Sequence, residues 1–109
     1  MSFALPDAIT RYYAGKNGRD YPAALSAFTP DAAVGDEAQQ HVGHAAIGAW
    51  MADTAARYND QSRVISAETT GDVTQIAAEV TGNFPGSPAV LRYRFTLRDG
   101  LIARLEIDG

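Results

Sequence analysis

Apolar residues near the start of the chain fall at Leu5, Ile9, Tyr12 and Tyr13. The spacing i, i+4, i+7, i+8 places them on one face of a helix. Pro6 suits the first turn of that helix, and Gly15 and Gly18 weaken its end. Asp20 can cap a second, shorter helix with Pro22 in its first turn and Leu25 and Phe28 inward. Thr29-Pro30-Asp31 then stops it. Ala32 to Asp36 reads as a short strand in which Val34 and Asp36 share a face, because strand side chains alternate. Glu37 to Gln39 reads as a turn and Gln40 to Val42 as a return strand, broken by Gly43. A third helix runs from about Ala45 to Tyr58, with Ile47, Trp50, Met51, Thr54 and Tyr58 in one stripe.

The period then changes. Ser62 to Thr70, Val73 to Phe84, Ala89 to Arg98 and Leu101 to Ile107 read as strands rich in Val, Ile, Thr, Tyr and Phe. Gly71-Asp72 and Asp99-Gly100 are two-residue hairpin signals, and Pro85-Gly86-Ser87-Pro88 is a longer loop. Helices followed by a run of hairpin-linked strands predict an α+β fold, with the three helices packed on an antiparallel sheet. Leu91, Tyr93, Phe95 and Leu97 share the face turned to the helices. Arg92, Arg94, Thr96 and Arg98 share the other, where Glu79 or Glu106 could pair with them.

The 109 residues suit a single domain spanning 1–109, and a 46% hydrophobic content can fill one core. No apolar run reaches the roughly 20 residues that a bilayer requires. The start, Met-Ser-Phe-Ala-Leu-Pro-Asp, has neither a basic nor an apolar leader segment, so no signal peptide is expected. Cysteine is absent, which removes disulfides, thiolate nucleophiles and Cys-type zinc sites and fits a cytoplasmic location. The net charge is −4 and the arginines form no stripe, so nucleic acid is not an expected partner.

Asp36 stands out as candidate chemistry. A carboxylate pointing inward from a strand is desolvated, its pKa rises, and it becomes a competent proton acceptor near neutral pH. The plainer alternative is a strand-end Asp that caps a turn. Tyr12 and Tyr13 point about 100° apart on their helix, so one can fill the core while the other aims its hydroxyl into a cavity. His41 and His44 are close in sequence, but one lies on a strand and the other at a helix start, so a metal site is not expected. His41 reads instead as a polar pocket group. Trp50, Met51 and Tyr58 can serve both as core and as pocket wall. No lysine or arginine is predicted to point inward.

The order Arg11-Tyr12-Tyr13-Ala14, Asn17, Asp20, Ala24-Leu25, Phe28-Thr29-Pro30-Asp31-Ala32, Val34-Gly35-Asp36-Glu37, Gly43, Ala46-Ile47 and Trp50 resembles the nuclear transport factor 2-like superfamily in its SnoaL-like branch. Gly82 to Pro88 and the two closing strands extend the resemblance over nearly the whole chain. It implies a cone: a strongly curved antiparallel sheet with the helices on its concave side, commonly paired as a homodimer. Arg92, Arg94, Thr96, Arg104 and Glu106 on the outer sheet face would contribute to that pairing. In the ketosteroid-isomerase branch an Arg-Tyr-x-Ala segment carries an oxygen-binding tyrosine, matched by Tyr12, and a Val-x-Asp segment carries the proton-shuttling base, matched by Asp36. That branch's second oxyanion donor falls on Leu91, where no donor exists, which counts against steroid-type isomerisation. The resemblance supports binding of a small, largely apolar or carbonyl-containing molecule, without cofactor or metal. Its walls would come from Tyr12, Tyr13, Val34, Asp36, His41, Trp50, Tyr58, Leu91, Tyr93 and Phe95. The alternative is a cofactor-independent isomerase, cyclase or hydratase with Asp36 as acid/base and Tyr12 as hydrogen-bond donor.

Overall fold

The computed structural model describes residues 4–109. The first three residues, part of the stretch read for a leader, lie outside them. Helix α1 (Asp7–Asn17) is opened by Pro6, with the Arg11 guanidinium on Asp7 one turn earlier at 2.9 Å. Helix α2 (Tyr21–Leu25) is capped as expected, the Asp20 carboxylate accepting from the Ala23 backbone N–H. Gly15 permits the two helices to meet: a Cβ there would lie 2.6 Å from the Ala24 nitrogen.

Strand β1 (Phe28–Asp36) begins earlier than the sequence pattern suggests. Thr29-Pro30-Asp31 ends α2 but does not prevent pairing. The ladder to the last strand is irregular between Phe28 and Ala33, and the missing N–H of Pro30 is tolerated there. Strand β2 (Gln39–Val42) returns antiparallel to β1 through the Glu37-Ala38 turn. Helix α3 (His44–Tyr58) follows, and β3 (Gln61–Thr70), β4 (Val73–Thr81), β5 (Ala89–Arg98) and β6 (Leu101–Asp108) form an antiparallel meander.

The sheet has six strands in the order β2-β1-β6-β5-β4-β3. It is mixed rather than wholly antiparallel, because β6 pairs with β1 in parallel. Hairpin signals encode neighbours in sequence, whereas the β1–β6 pair joins segments some seventy residues apart that no turn specifies. The fourth-strand pattern, read through Phe84, stops at Thr81. Beyond it the Asn83 N–H donates to the Tyr58 carbonyl at 2.6 Å, and Gly82 lets the chain approach that carbonyl. This places Phe84 edge-on to Tyr58, with ring centroids 5.8 Å apart.

The core lies between the helices and one sheet face. Ile9, Tyr12, Phe28, Val34, Ile47, Phe95, Ile102 and Leu105 are wholly or almost wholly buried. Tyr12 meets Phe28 and Phe95 at 5.6 and 5.8 Å in tilted and edge-on geometries, each such pair adding about 0.5–1.5 kcal/mol beyond area burial. Leu91, Tyr93, Phe95 and Leu97 face the core as expected, and Arg92, Arg94 and Arg98 face away. The expected partners differ: Glu79 holds Arg63, Glu106 holds Arg104, and Arg98 reaches Asp31. Among the described residues no helix is long and apolar enough to cross a membrane.

Candidate functional site

A cavity of about 480 Å³ opens between α1, α3 and the sheet. Tyr12 and Lys16 reach it from α1, one turn apart. Trp50, Thr54 and Tyr58 descend along α3 at the spacing that keeps them on one face. The sheet contributes Asp36 from the end of β1, Val80 from β4, Leu91 and Tyr93 from β5, and Ile107 from β6. Asp60 and Phe84 come from the loops next to β3 and after β4.

Asp36 is half-buried in this wall. The Trp50 indole N–H donates to its Oδ2 at 3.0 Å. Desolvation raises the Asp36 pKa above the usual carboxylate value. The indole hydrogen bond opposes the rise and the neighbouring Glu37 charge reinforces it. Tyr12 is fully buried and its hydroxyl has no partner among the described residues. Burial first, then the nearby Tyr93, Tyr13, Asp60 and Asp36, hold that phenol firmly protonated. Tyr93 is pushed up to about 12 by burial, with a hydrogen bond to Ser62 opposing. Both tyrosines are therefore hydrogen-bond donors at any working pH.

At the mouth, the two oxygens of Glu37 are shared between the Arg57 guanidinium, at 3.1 Å, and the Tyr58 hydroxyl, at 3.2 Å. Arg57 also donates to the Tyr58 oxygen and to Asp53. Glu37 and Ala38 both adopt positive φ, 51° and 61°, in the tight turn that carries this rim.

Four of the expected wall residues lie elsewhere. Val34 is one pleat deeper than Asp36 and completely buried in the core, as is Phe95. Tyr13 lies outside the cavity lining and packs edge-on against Tyr12, Tyr93 and Phe95, its hydroxyl also unpartnered. His41 stacks on the far face of Trp50, centroids 5.9 Å apart, in a separate cavity of about 300 Å³ behind the indole. His44 is apart from both, its Nε2 on the Phe28 carbonyl at 3.1 Å. Among the described residues no three His, Asp or Glu side chains gather as a metal site.

The expectation that no cation points inward fails at Lys16. This is the only lysine in the chain, beside eight arginines, and its side chain is 8% exposed. Its Nζ donates to Asp60 Oδ2 and to Ser62 Oγ, both at 2.9 Å. Burial pulls the Lys16 pKa down and the Asp60 contact opposes it. The signal was present: Lys16 continues the Ile9, Tyr12 stripe by one more turn. The long methylene stem is what allows a charged residue to extend an apolar face.

Comparison with known proteins places these features in context. The family model of the SnoaL-like domain matches residues 9–105. A Sinorhizobium meliloti protein named as a candidate polyketide cyclase is 38% identical, covers 95% of each chain and superposes with a TM-score of 0.93. A Catenulispora acidiphila protein with a ketosteroid isomerase-like fold, solved with trimethylamine, has 23% identity and a TM-score of 0.85 over 97% of this chain and 87% of its own. TerC, co-crystallised with polyporic acid, has 24% identity and a TM-score of 0.79 over 94% and 88% of the two chains. No curated protein matches the sequence.

Proposed function

The chain belongs to the SnoaL-like domain family, and on that premise we propose that its cavity, the interior of the family's cone, binds a small, largely apolar, carbonyl-containing molecule. Asp36 carries this reading. It is a half-buried, partly desolvated carboxylate in a mostly apolar wall, held by the Trp50 indole N–H at 3.0 Å and by the Glu37 backbone. The Tyr12 hydroxyl in the same wall is a donor without an acceptor, and a ligand carbonyl oxygen would supply one.

The same pair favours a second reading, cofactor-independent proton transfer. Asp36 would accept a proton alpha to the carbonyl and return it elsewhere, while Tyr12 stabilises the enolate oxygen that forms in between. The 38% identical relative named as a candidate polyketide cyclase is consistent with such chemistry. Native mass spectrometry of purified protein tests binding through any co-purified molecule. Solvent-deuterium incorporation into bound ketones tests proton transfer: wild type should exchange and Asp36→Asn should not, since an amide cannot accept the proton. Exchange undiminished in Asp36→Asn would reject Asp36 as the base.

A further inference from the structure

The polar groups of the cavity sit at two separate places. Asp36 ends β1, second from one edge of the sheet. Asp60 and Ser62 flank the start of β3, the strand at the other edge. The four strand steps from β1 to β3 in the order β1-β6-β5-β4-β3 amount to at most about 19 Å across the sheet. The wall between is apolar, with Val80, Phe84, Leu91 and Ile107. Tyr12 lines the same cavity from α1, one turn before Lys16.

The far end has unused hydrogen-bonding capacity. Lys16 spends two N–H groups on Asp60 and Ser62 at 2.9 Å. Its third meets only Asn17 Oδ1 at 3.5 Å, the limit of hydrogen-bond range, and that oxygen already accepts from the Ser62 backbone N–H at 3.0 Å. Asp60 is 8% exposed, and its Oδ1 has no hydrogen-bond partner among the described residues. The Arg19 guanidinium stays 3.8 Å from that oxygen. A buried ion pair kept for stability alone should satisfy all its donors and acceptors, since its desolvation cost is otherwise not recovered. A hydroxyl accepts from an ammonium and donates to a carboxylate at once, so it complements this pair better than a ketone or an anion does.

We infer that the cavity is two-ended and that its ligand is an apolar body with an oxygen function at each end, one held at Asp36 and Trp50 and a hydroxyl held at Lys16 and Asp60. The inference rests on the ligand-binding reading above and narrows its ligand to a difunctional molecule.

The composition supplies a reporter at each end: one tryptophan and one lysine. In protein labelled with ¹⁵N, the Trp50 indole and the Lys16 ammonium each give a single side-chain resonance. Biphenyl, para-phenylphenol and para,para′-biphenol form a series of constant shape with no, one and two terminal hydroxyls. Calorimetry should show para-biphenol binding about tenfold or more tighter than para-phenylphenol, as expected for a hydrogen bond to charged partners. Only para-biphenol should move both resonances strongly. Equal affinity of the two phenols, or a shifted indole with an unmoved Lys16 signal, would overturn the two-ended inference and leave the cavity reading standing. Failure of all three to bind, with both reporters still, would overturn the cavity reading and this inference together. The double variant Lys16→Gln/Asp60→Asn removes both charges at once and should reduce the affinity ratio to about twofold or less. A ratio unchanged in that variant would also overturn the inference. The wild-type measurements decide the question even if the variant does not fold.

Discussion

Two side chains in the cavity wall contribute less to stability than their burial suggests. The folded-state pKa of Asp36 is raised, so its protonated form is the better tolerated one. Its favourable contribution is complete below the unfolded value of about 3.9 and is lost as pH rises through the folded pKa. Asp36→Asn keeps the shape and an acceptor for the Trp50 N–H. Thermal melts should find it at least as stable as wild type at pH 8 and relatively less favoured at pH 4. A mutant clearly less stable at pH 8 would make the carboxylate a structural group. Tyr12→Phe removes a hydroxyl that is buried without a partner. Urea unfolding of the ligand-free protein should show a gain of about 1 kcal/mol. Affinity for a carbonyl ligand should fall in the same variant. Asp36 was legible because strand alternation from Val34 carries it inward, and Tyr12 because the helical stripe does. That same alternation does not say how deep each position lies: Val34 and Phe95 share the inward face yet lie in the core. Lys16 was not legible, because periodicity treats a lysine as polar although its methylene stem can extend an apolar face.

At the level of elements, close approaches set which faces meet. The α1–α2 contact depends on Gly15, where an added methyl would press on the Ala24 backbone. Gly15→Ala should cost about 1–3 kcal/mol by forcing the helices apart, read as a lower denaturation midpoint at unchanged m-value. The Glu37-Ala38 turn carries two non-glycine residues at positive φ. Ala38→Gly relieves the left-handed penalty and should stabilise the fold by up to about 1 kcal/mol, partly offset by the freer unfolded chain. Hairpin turns and helix caps lie within a few residues of what they join, so most elements were readable. The start of β1 was not, because pairing to β6 overrides the local stop signal at Pro30. The end of β4 was not either, because a contact to Tyr58 is invisible in strand periodicity.

For the whole molecule, the open question is what covers the outer sheet face. Arg92, Arg94 and Arg104 are exposed there, with Val90 beside them at 53% exposure. We propose that this face pairs with a second copy. Sedimentation at tens of micromolar should then give twice the chain mass of 11.6 kDa, and the chain mass itself would reject it. The α+β class and the placement of helices on one face followed from the order of periods along the sequence. The mixed character of the sheet did not, because strand order is a property of the complete chain.

That order also bears on how the protein is made. The last strand in sequence, β6, lies between β1 and β5 in the middle of the sheet. During synthesis the β1–β2 hairpin and the β3–β4–β5 meander emerge as two fragments, each with a bare edge, and no strand pairing joins them until β6 leaves the ribosome. Until β6 is free the chain is therefore a divided sheet, with the edges that chaperones and aggregation both recognise. Ribosome-bound chains ending before Leu101 should remain open to protease along β1, and protection should arrive in one step once β6 is free.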